Sequence, residues 1–488
     1  MKNKISIKTI HITTIIVGII FIFLSVFHSN IWFDEAYSVG LANQSLIDIW
    51  KIGGNDVHPV LYYWMLRIVN LLTNGSVLAY RLFSVIPIVL LGILGITHIK
   101  KDFGEKEGVI FSFLCYFVPI MTVNANQIRM YSWSIYIITI LAIYAYRIYL
   151  GQTSKKNWII FGISSLASIY IHYYGLMAAG LINLFLLIYF IKNKKWKELK
   201  FQIVIGIIQV ILYIPWLIYL LAQMKHVSKG FWIDSEPNKV LQIIGFQMEG
   251  IINVWVGTIT NILLFALLSV IVYRKRKDKT INWKPIIYSI AIYIAVILSA
   301  LIITIVLKTS ILYYRYLFVI TGLYIFAISF ILAKENNKYL IIITCFMILV
   351  LGTINSIIQT KENYDKSNGK QIEYLKENIE EGDVLVYRNI GNGSVFASNF
   401  KNNKQYFYNP EDWGIVEAYK AWAPQMETYI TTEFLEKCEG RIWIIDSEDN
   451  GFFNELFNNK EYKHISTEVF QTKYRAYTYN ITLVEKIK

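Results

Sequence analysis

Apolar positions in this chain fall into long blocks separated by short polar stretches. Eleven blocks, at approximately residues 10–28, 79–97, 109–124, 131–149, 157–171, 174–191, 201–221, 251–273, 285–307, 311–333 and 339–358, read as membrane-crossing helices. About 20 apolar helical residues match the hydrocarbon core of a bilayer. Pro87, Pro119 and Pro215 lie inside or near the ends of blocks, where neighbouring helices can satisfy the carbonyls that a proline frees. After the last block the pattern changes. Residues 361–488 read as a small α/β domain: QIEYLKENIEEGDVLVYR predicts a helix, a Gly turn and a strand, and GRIWIIDSE a second strand. The run GNGS at 391–394 is short and has no helix pattern after it, so no phosphate-cradling loop is read there. The expected fold class is a polytopic α-helical membrane protein of about 11 spans, residues 1–359, with a C-terminal α/β domain, residues 360–488.

Between the first two blocks the chain does something a connector does not need. Ser29–Leu72 holds adjacent acids, Asp34 and Glu35, among aromatics, then Asp56 and a His58-Pro59 pair that opens an aromatic run. Val60–Leu72 has helical apolar spacing but is too short and polar to span, which predicts an amphipathic helix in the interface with Pro59 in its first turn.

Composition sharpens the class and charge sets the orientation. The chain has 488 residues, 55% of them hydrophobic, and a mean hydropathy of +0.43. Its net charge of +13 raises the question of nucleic acid, but the distribution answers it. Residues 1–359 carry 31 Lys+Arg and 13 Asp+Glu, whereas residues 360–488 carry 16 and 21. Basic excess confined to the membrane part reflects topology rather than a polyanion partner. One set of alternate loops, from Lys2 and Lys4 through the KNKKWKELK and RKRKDKT runs to Lys338, holds 22 basic residues. The opposite loops hold fewer than half as many. The first set is therefore read as cytoplasmic, with the N-terminus, and the Ser29–Leu72 loop and C-terminal domain as extracytoplasmic. MKNKISIK and the apolar run behind it lack a small-residue cleavage site, so an uncleaved first span is expected. Cys115, Cys345 and Cys438 form no disulfide or metal-ligand spacing.

The outer side then collects the unusual polar residues: Asp34, Glu35, Asp56, His58, Arg81, Arg129, His172, Lys225, His226, Asp234, Glu236, Lys308 and Arg315. Each has a plain reading beside a chemical one. Asp34 and Glu35 are solvated charges beyond a span, or acids in apolar surroundings suited to general-base work. Asp56 caps the interfacial helix or takes part in chemistry. Arg129, in NANQIRMYSW, snorkels from the membrane boundary or binds an anion. His172, with Tyr173 and Tyr174 in SIYIHYYGLM, belongs to an aromatic belt or to a site. Lys308 and Arg315, in LKTSILYYRYLF, join Arg129 in an electropositive patch of the kind a lipid-linked phosphate requires.

Six stretches in order, WFDEAYS, DVHPVLYY, AYRLFSV, NQIRMYSW, IHYYGLM and YYRYLF, resemble the GT-C glycosyltransferases over approximately residues 10–335, and within them the protein mannosyltransferase-like group and its bacterial relatives. The resemblance implies a transferase that takes sugar from a polyprenyl-phosphate donor on the outer face of a membrane, with inversion. It implies a catalytic first outer loop, residues 29–76, in which Asp34, with Glu35 beside it, deprotonates the acceptor. Arg129 and Arg315 match basic positions suited to the donor phosphate, and Lys308 joins them as a candidate from its own place in the chain. His58 falls in an HPPLYY-like motif, from which Val60 departs. Asp56, Tyr131, His172, Tyr173 and Tyr314 are further site candidates. The EGDVLVY strand resembles the small external domain that often follows in the family. The implied partners are a polyprenyl-phosphate sugar, membrane lipid and a glycan, lipid or protein acceptor, with no nucleic acid. Whether a divalent metal takes part is open. A flippase of lipid-linked glycans, or a glycan-binding relative without catalysis, is the alternative. A flippase predicts polar residues at mid-span, where this chain has mostly Ile, Leu, Val and Phe.

Overall fold

The computed structural model describes residues 6–231, 233, 237–408, 421–422, 426–447, 456 and 462–487. Asp234 and Glu236 lie outside the described residues. All eleven apolar blocks are helical, and among the described residues seven helices are long and apolar enough to cross a membrane: Val77–Phe103, Tyr173–Lys192, Trp196–Val227, Val254–Lys275, Lys284–Leu307, Tyr314–Ala333 and Lys338–Asn363. An eighth is counted if Glu105–Phe117 and Pro119–Ala125 form one broken span, bent by 59°. The break has a local cause. Val118, ahead of Pro119, sits at φ −64°, ψ 128°, because the proline ring clashes with a helical predecessor. The difference from eleven is one of length and polarity. Ile7–Phe23 and Lys155–Ile171 each have 17 residues, about 26 Å at 1.5 Å per residue against a core of about 30 Å. Tyr131–Tyr149 is longer but interrupted by Ser, Thr and Tyr.

The chain divides into two compact units. The first takes Met1–Val26, Val57–Tyr62 and Arg81–Ile358. In it Tyr314–Ala333 is the buried helix, with 89% of its apolar window enclosed, whereas Trp196–Val227 and Lys284–Leu307 have 11% enclosed and present their apolar faces outward. Small residues allow close approach. A Cβ on Gly322 would overlap the Thr139 hydroxyl, and one on Gly18 or Gly92 would strike the Tyr116 ring. The span interiors are less purely aliphatic than their composition suggests. Asn261 donates to Gln247 Oε1 and to the Ile244 carbonyl, both at 2.7 Å, accepts from the Tyr324 hydroxyl, and Gln247 donates to Tyr293. These groups satisfy one another, as groups in a water-poor interior must.

The second unit takes Phe27–Asp56, Tyr63–Tyr80 and Gln359–Lys488. Its centre is a six-stranded sheet of β1 (Val384–Tyr387), β2 (Lys404–Tyr408), β3 (Glu427–Tyr429), β4 (Arg441–Asp446), β5 (Tyr462–Gln471) and β6 (Thr478–Lys486), in the order β3-β2-β1-β4-β6-β5. The first four are parallel, and β6 and β5 complete the sheet antiparallel. Central β1 is buried throughout, which suits its unbroken VLVY. GNGS is not a loop. It lies in the helix Ile390–Asn399, capped by the Asn389 side chain, which accepts from the Asn392 N–H at 3.1 Å. Burial of Val395 and Phe396 overrides the weak propensity of Gly, Asn and Ser.

The same unit takes two helices of the first polar loop and residues 63–73 of a third. Phe33–Ala42 lies against Ile390–Asn399. Leu46–Asn55 stacks Trp50 on Trp64 at 5.6 Å. Leu61–Thr73, the expected interfacial helix, leaves Ile68, Leu71 and Leu72 exposed. Pro59 stands two residues ahead of this helix rather than in its first turn. Asp56 does not begin it either, because it closes Leu46–Asn55 as the C-cap.

Candidate functional site

In the membrane unit the candidate residues gather at helix ends. Arg129 sits in the turn between Pro119–Ala125 and Tyr131–Tyr149, its side chain 3% exposed. Arg81, itself buried, donates a guanidinium N–H to the Asn126 carbonyl, and the Asn126 amide reaches Ser25 Oγ at 2.8 Å. The turn presenting Arg129 is thereby held from two sides. The Arg129 guanidinium meets His58 Nε2 at 3.4 Å.

His172 breaks the helical path between Lys155–Ile171 and Tyr173–Lys192, at φ −162° and ψ 142°. Its Nδ1 accepts the Tyr174 N–H at 3.1 Å, capping the second helix as Asn would. The ring is packed among Tyr131, Tyr174 and Tyr316, with centroids 5.7, 5.8 and 5.4 Å away. Burial, reinforced by the charges of His58 and Arg129, pushes the imidazole down to about 3, so it is neutral at physiological pH. Tyr173 donates its hydroxyl to Gln223 Oε1 and accepts from Trp216 Nε1 at 3.2 Å.

A cavity of about 300 Å³ opens beside these groups. His58, His172, Tyr173 and Gln223 supply its polar points, and Leu176, Met177, Leu220, Met224, Val227, Ile303 and Leu307 most of its wall. His58 links the two features, since it both lines the cavity and touches Arg129. Arg315 places its guanidinium 5.6 Å from the Tyr313 ring centre, and Tyr314 packs 4.6 Å from the same ring. Lys308 is exposed, in the left-handed region at φ 54°, where it ends Lys284–Leu307. Among the described residues that line the cavity, none of the three proposed cations appears.

In the second unit, Asp34 and Glu35 open the helix Phe33–Ala42, where the helix dipole favours acids. Neighbouring helical side chains diverge by about 100°, and the two acids meet different surroundings. Asp34 is half-buried. Glu35 is fully buried and accepts the Tyr474 hydroxyl at 2.8 Å. Among the described residues no group of three or more His, Cys, Asp or Glu is arranged to hold a metal ion.

Neither a family model nor a curated protein sequence matches the chain. Solved structures do. ArnT from Cupriavidus metallidurans in the apo state aligns over 98% of this chain and 97% of its own, at 10% identity and a TM-score of 0.61. The same protein bound to undecaprenyl phosphate aligns over 98% of each chain, at 10% identity and a TM-score of 0.59. The chain has the GT-C fold. At this identity the likeness is one of architecture, and it agrees with the fold expected from the six ordered stretches.

Two parts of this chain's candidate site left little trace in the sequence. Leu220, Met224, Val227 and Leu307 look like any lipid-facing residue of a span, and only Gln223, polar near the end of its helix, offered a signal. Arg81 stands out in the sequence as a cation among apolar residues, but its work in holding the Asn126 turn depends on a contact 45 residues away.

Proposed function

We propose that this protein is an inverting glycosyltransferase that moves a sugar from a polyprenyl-phosphate donor to an acceptor on the outer face of the membrane. The observation that carries the reading is the cavity of about 300 Å³, apolar along its wall, with the His58–Arg129 contact at its edge. An apolar chain ending in a phosphate matches that combination of surfaces. The likeness to ArnT, solved with undecaprenyl phosphate, supports the same class of donor.

In the proposed reaction Asp34 accepts the proton of the acceptor hydroxyl. The acceptor oxygen attacks the anomeric carbon, the bond from that carbon to the phosphate oxygen breaks, and polyprenyl phosphate leaves. A single displacement inverts the anomeric centre. Arg129 and Arg315 take up the negative charge on the departing phosphate, with Lys308 as an outlying cation and Tyr131, His172, Tyr173 and Tyr314 fixing the shape around them. The topology that goes with this reading has eleven crossings, a cytoplasmic N-terminus and an extracytoplasmic C-terminal domain. The test is transfer of labelled sugar from a polyprenyl-phosphate sugar by the purified protein. Asp34→Asn abolishes transfer if Asp34 is the base, whereas full activity in that variant removes it from the role.

A further inference from the structure

From the second unit we infer that the tip of the β5–β6 hairpin is a positioning clamp for the helix that carries Asp34, and that Glu35 works as the clamp's anchor rather than in the chemistry. The inference rests on the proposed role of Asp34. It begins from a deficiency. The helix Phe33–Ala42 starts at Trp32, which supplies no side-chain cap, so its first N–H groups need partners from elsewhere. The hairpin tip provides one: the Tyr477 hydroxyl accepts the Phe33 N–H at 3.3 Å.

Two further contacts from the same six-residue tip hold the same helical turn. The Tyr474 hydroxyl donates to Glu35 Oε2 at 2.8 Å in a fully buried setting. The Arg475 guanidinium lies 4.2 Å from the Trp32 ring centre, within cation–π range. His28, just upstream, packs its ring 5.4 Å from that of Tyr474. Three of the four residues 32–35, Trp32, Phe33 and Asp34's neighbour Glu35, are thus gripped by Arg475, Tyr477 and Tyr474.

The tip is built to do this. Arg475 and Ala476 occupy the left-handed region, at φ 59° and φ 51°, which side-chain-bearing residues rarely adopt and which persists only where surroundings enforce it. Enforcement comes from the domain. The Tyr474 N–H donates to Asn368 Oδ1 at 2.9 Å, the Lys473 N–H to Ser367 Oγ at 3.1 Å, and Thr472 bonds to the Tyr477 carbonyl through both its N–H and its hydroxyl. A turn held in an unfavourable conformation to aim three side chains at one helical turn is a device for position. The Glu35 carboxylate, fully buried and bonded to the Tyr474 hydroxyl, is one of the points at which that aim is fixed.

The test uses the full-length protein in nanodiscs and two readouts: hydrogen exchange over residues 31–42, and kcat and KM for a polyprenyl-phosphate sugar. Tyr474→Phe and Tyr477→Phe keep the rings and delete one hydroxyl each. Both are expected to raise exchange in 31–42 and to lower kcat tenfold or more, with donor KM within twofold of the parent. Glu35→Leu is expected to behave likewise, and Glu35→Gln, which still accepts from Tyr474, to recover most of what Glu35→Leu loses. The inference is overturned if both Phe variants leave exchange and kcat unchanged. It is also overturned if Glu35→Gln is as inactive as Asp34→Asn with exchange unaltered, since Glu35 then acts through its charge. Should Asp34→Asn keep full activity, the assignment of the base fails, while the exchange data still judge the clamp.

Discussion

Replacing His172 separates its contributions cleanly. The ring caps Tyr173–Lys192 through Nδ1 and touches three tyrosine rings. Loss of a helix cap costs about 1 kcal/mol, and aromatic contacts about 0.5–1.5 kcal/mol each. His172→Ala is therefore expected to destabilise the membrane unit by roughly 3–5 kcal/mol, and His172→Asn, which restores the cap, by about 1 kcal/mol less. The pH dependence is the sharper test. In the unfolded chain the imidazole titrates near its ordinary value of about 6.5, while in the fold burial pushes it down to about 3. Between those values the unfolded state binds more protons, so stability falls as pH falls, starting near 6.5. At pH 5 the loss from this one group is about 2 kcal/mol. Equilibrium unfolding in mixed micelles at pH 8 and pH 5 checks it: the advantage of the parent over His172→Asn is expected to shrink by about that amount. A constant advantage across the range, or a His172 resonance that titrates near 6.5 in the folded protein, refutes the reasoning.

Other expectations follow from single contacts. Arg129→Lys replaces a planar guanidinium by a point charge, and kcat/KM for the donor is expected to drop at least tenfold in steady-state transfer, with no change in thermal stability. Arg81→Met, which frees the Asn126 carbonyl, is expected to cost about 1–3 kcal/mol in unfolding measurements and to raise donor KM through the turn that presents Arg129. Gly322→Ala drives a methyl into the Thr139 hydroxyl and is expected to destabilise by about 1–3 kcal/mol. Addition of Thr139→Ala is expected to restore part of this, which a double-mutant cycle measures.

The membrane blocks were legible because a bilayer imposes one length on every span, so Lys284–Leu307 and Lys338–Asn363 announce themselves by composition alone. Arg129 and Arg315 stand out in the sequence for the converse reason, as charges beside long apolar runs. What the sequence hid was partnership. Nothing in GNGS signals a helix, because Asn389 caps it and the sheet buries it. Asp56 reads in the sequence as a cap for the interfacial helix or as part of the chemistry, and only the backbone at 56–61 shows that it ends the preceding helix. The partner of Glu35 was hidden too, because adjacency to Asp34 is visible in a sequence and a hydroxyl at position 474 is not.

That last pairing has a temporal consequence. Glu35 and Tyr474 are separated by 439 positions. At roughly 5–20 residues per second of synthesis, about 20–90 s pass between their emergence. Throughout that interval the segment around Asp34 has been made, yet neither Tyr474 nor Tyr477 exists to engage it. The earliest polar loop to leave the ribosome is thus among the last parts of the protein to be finished.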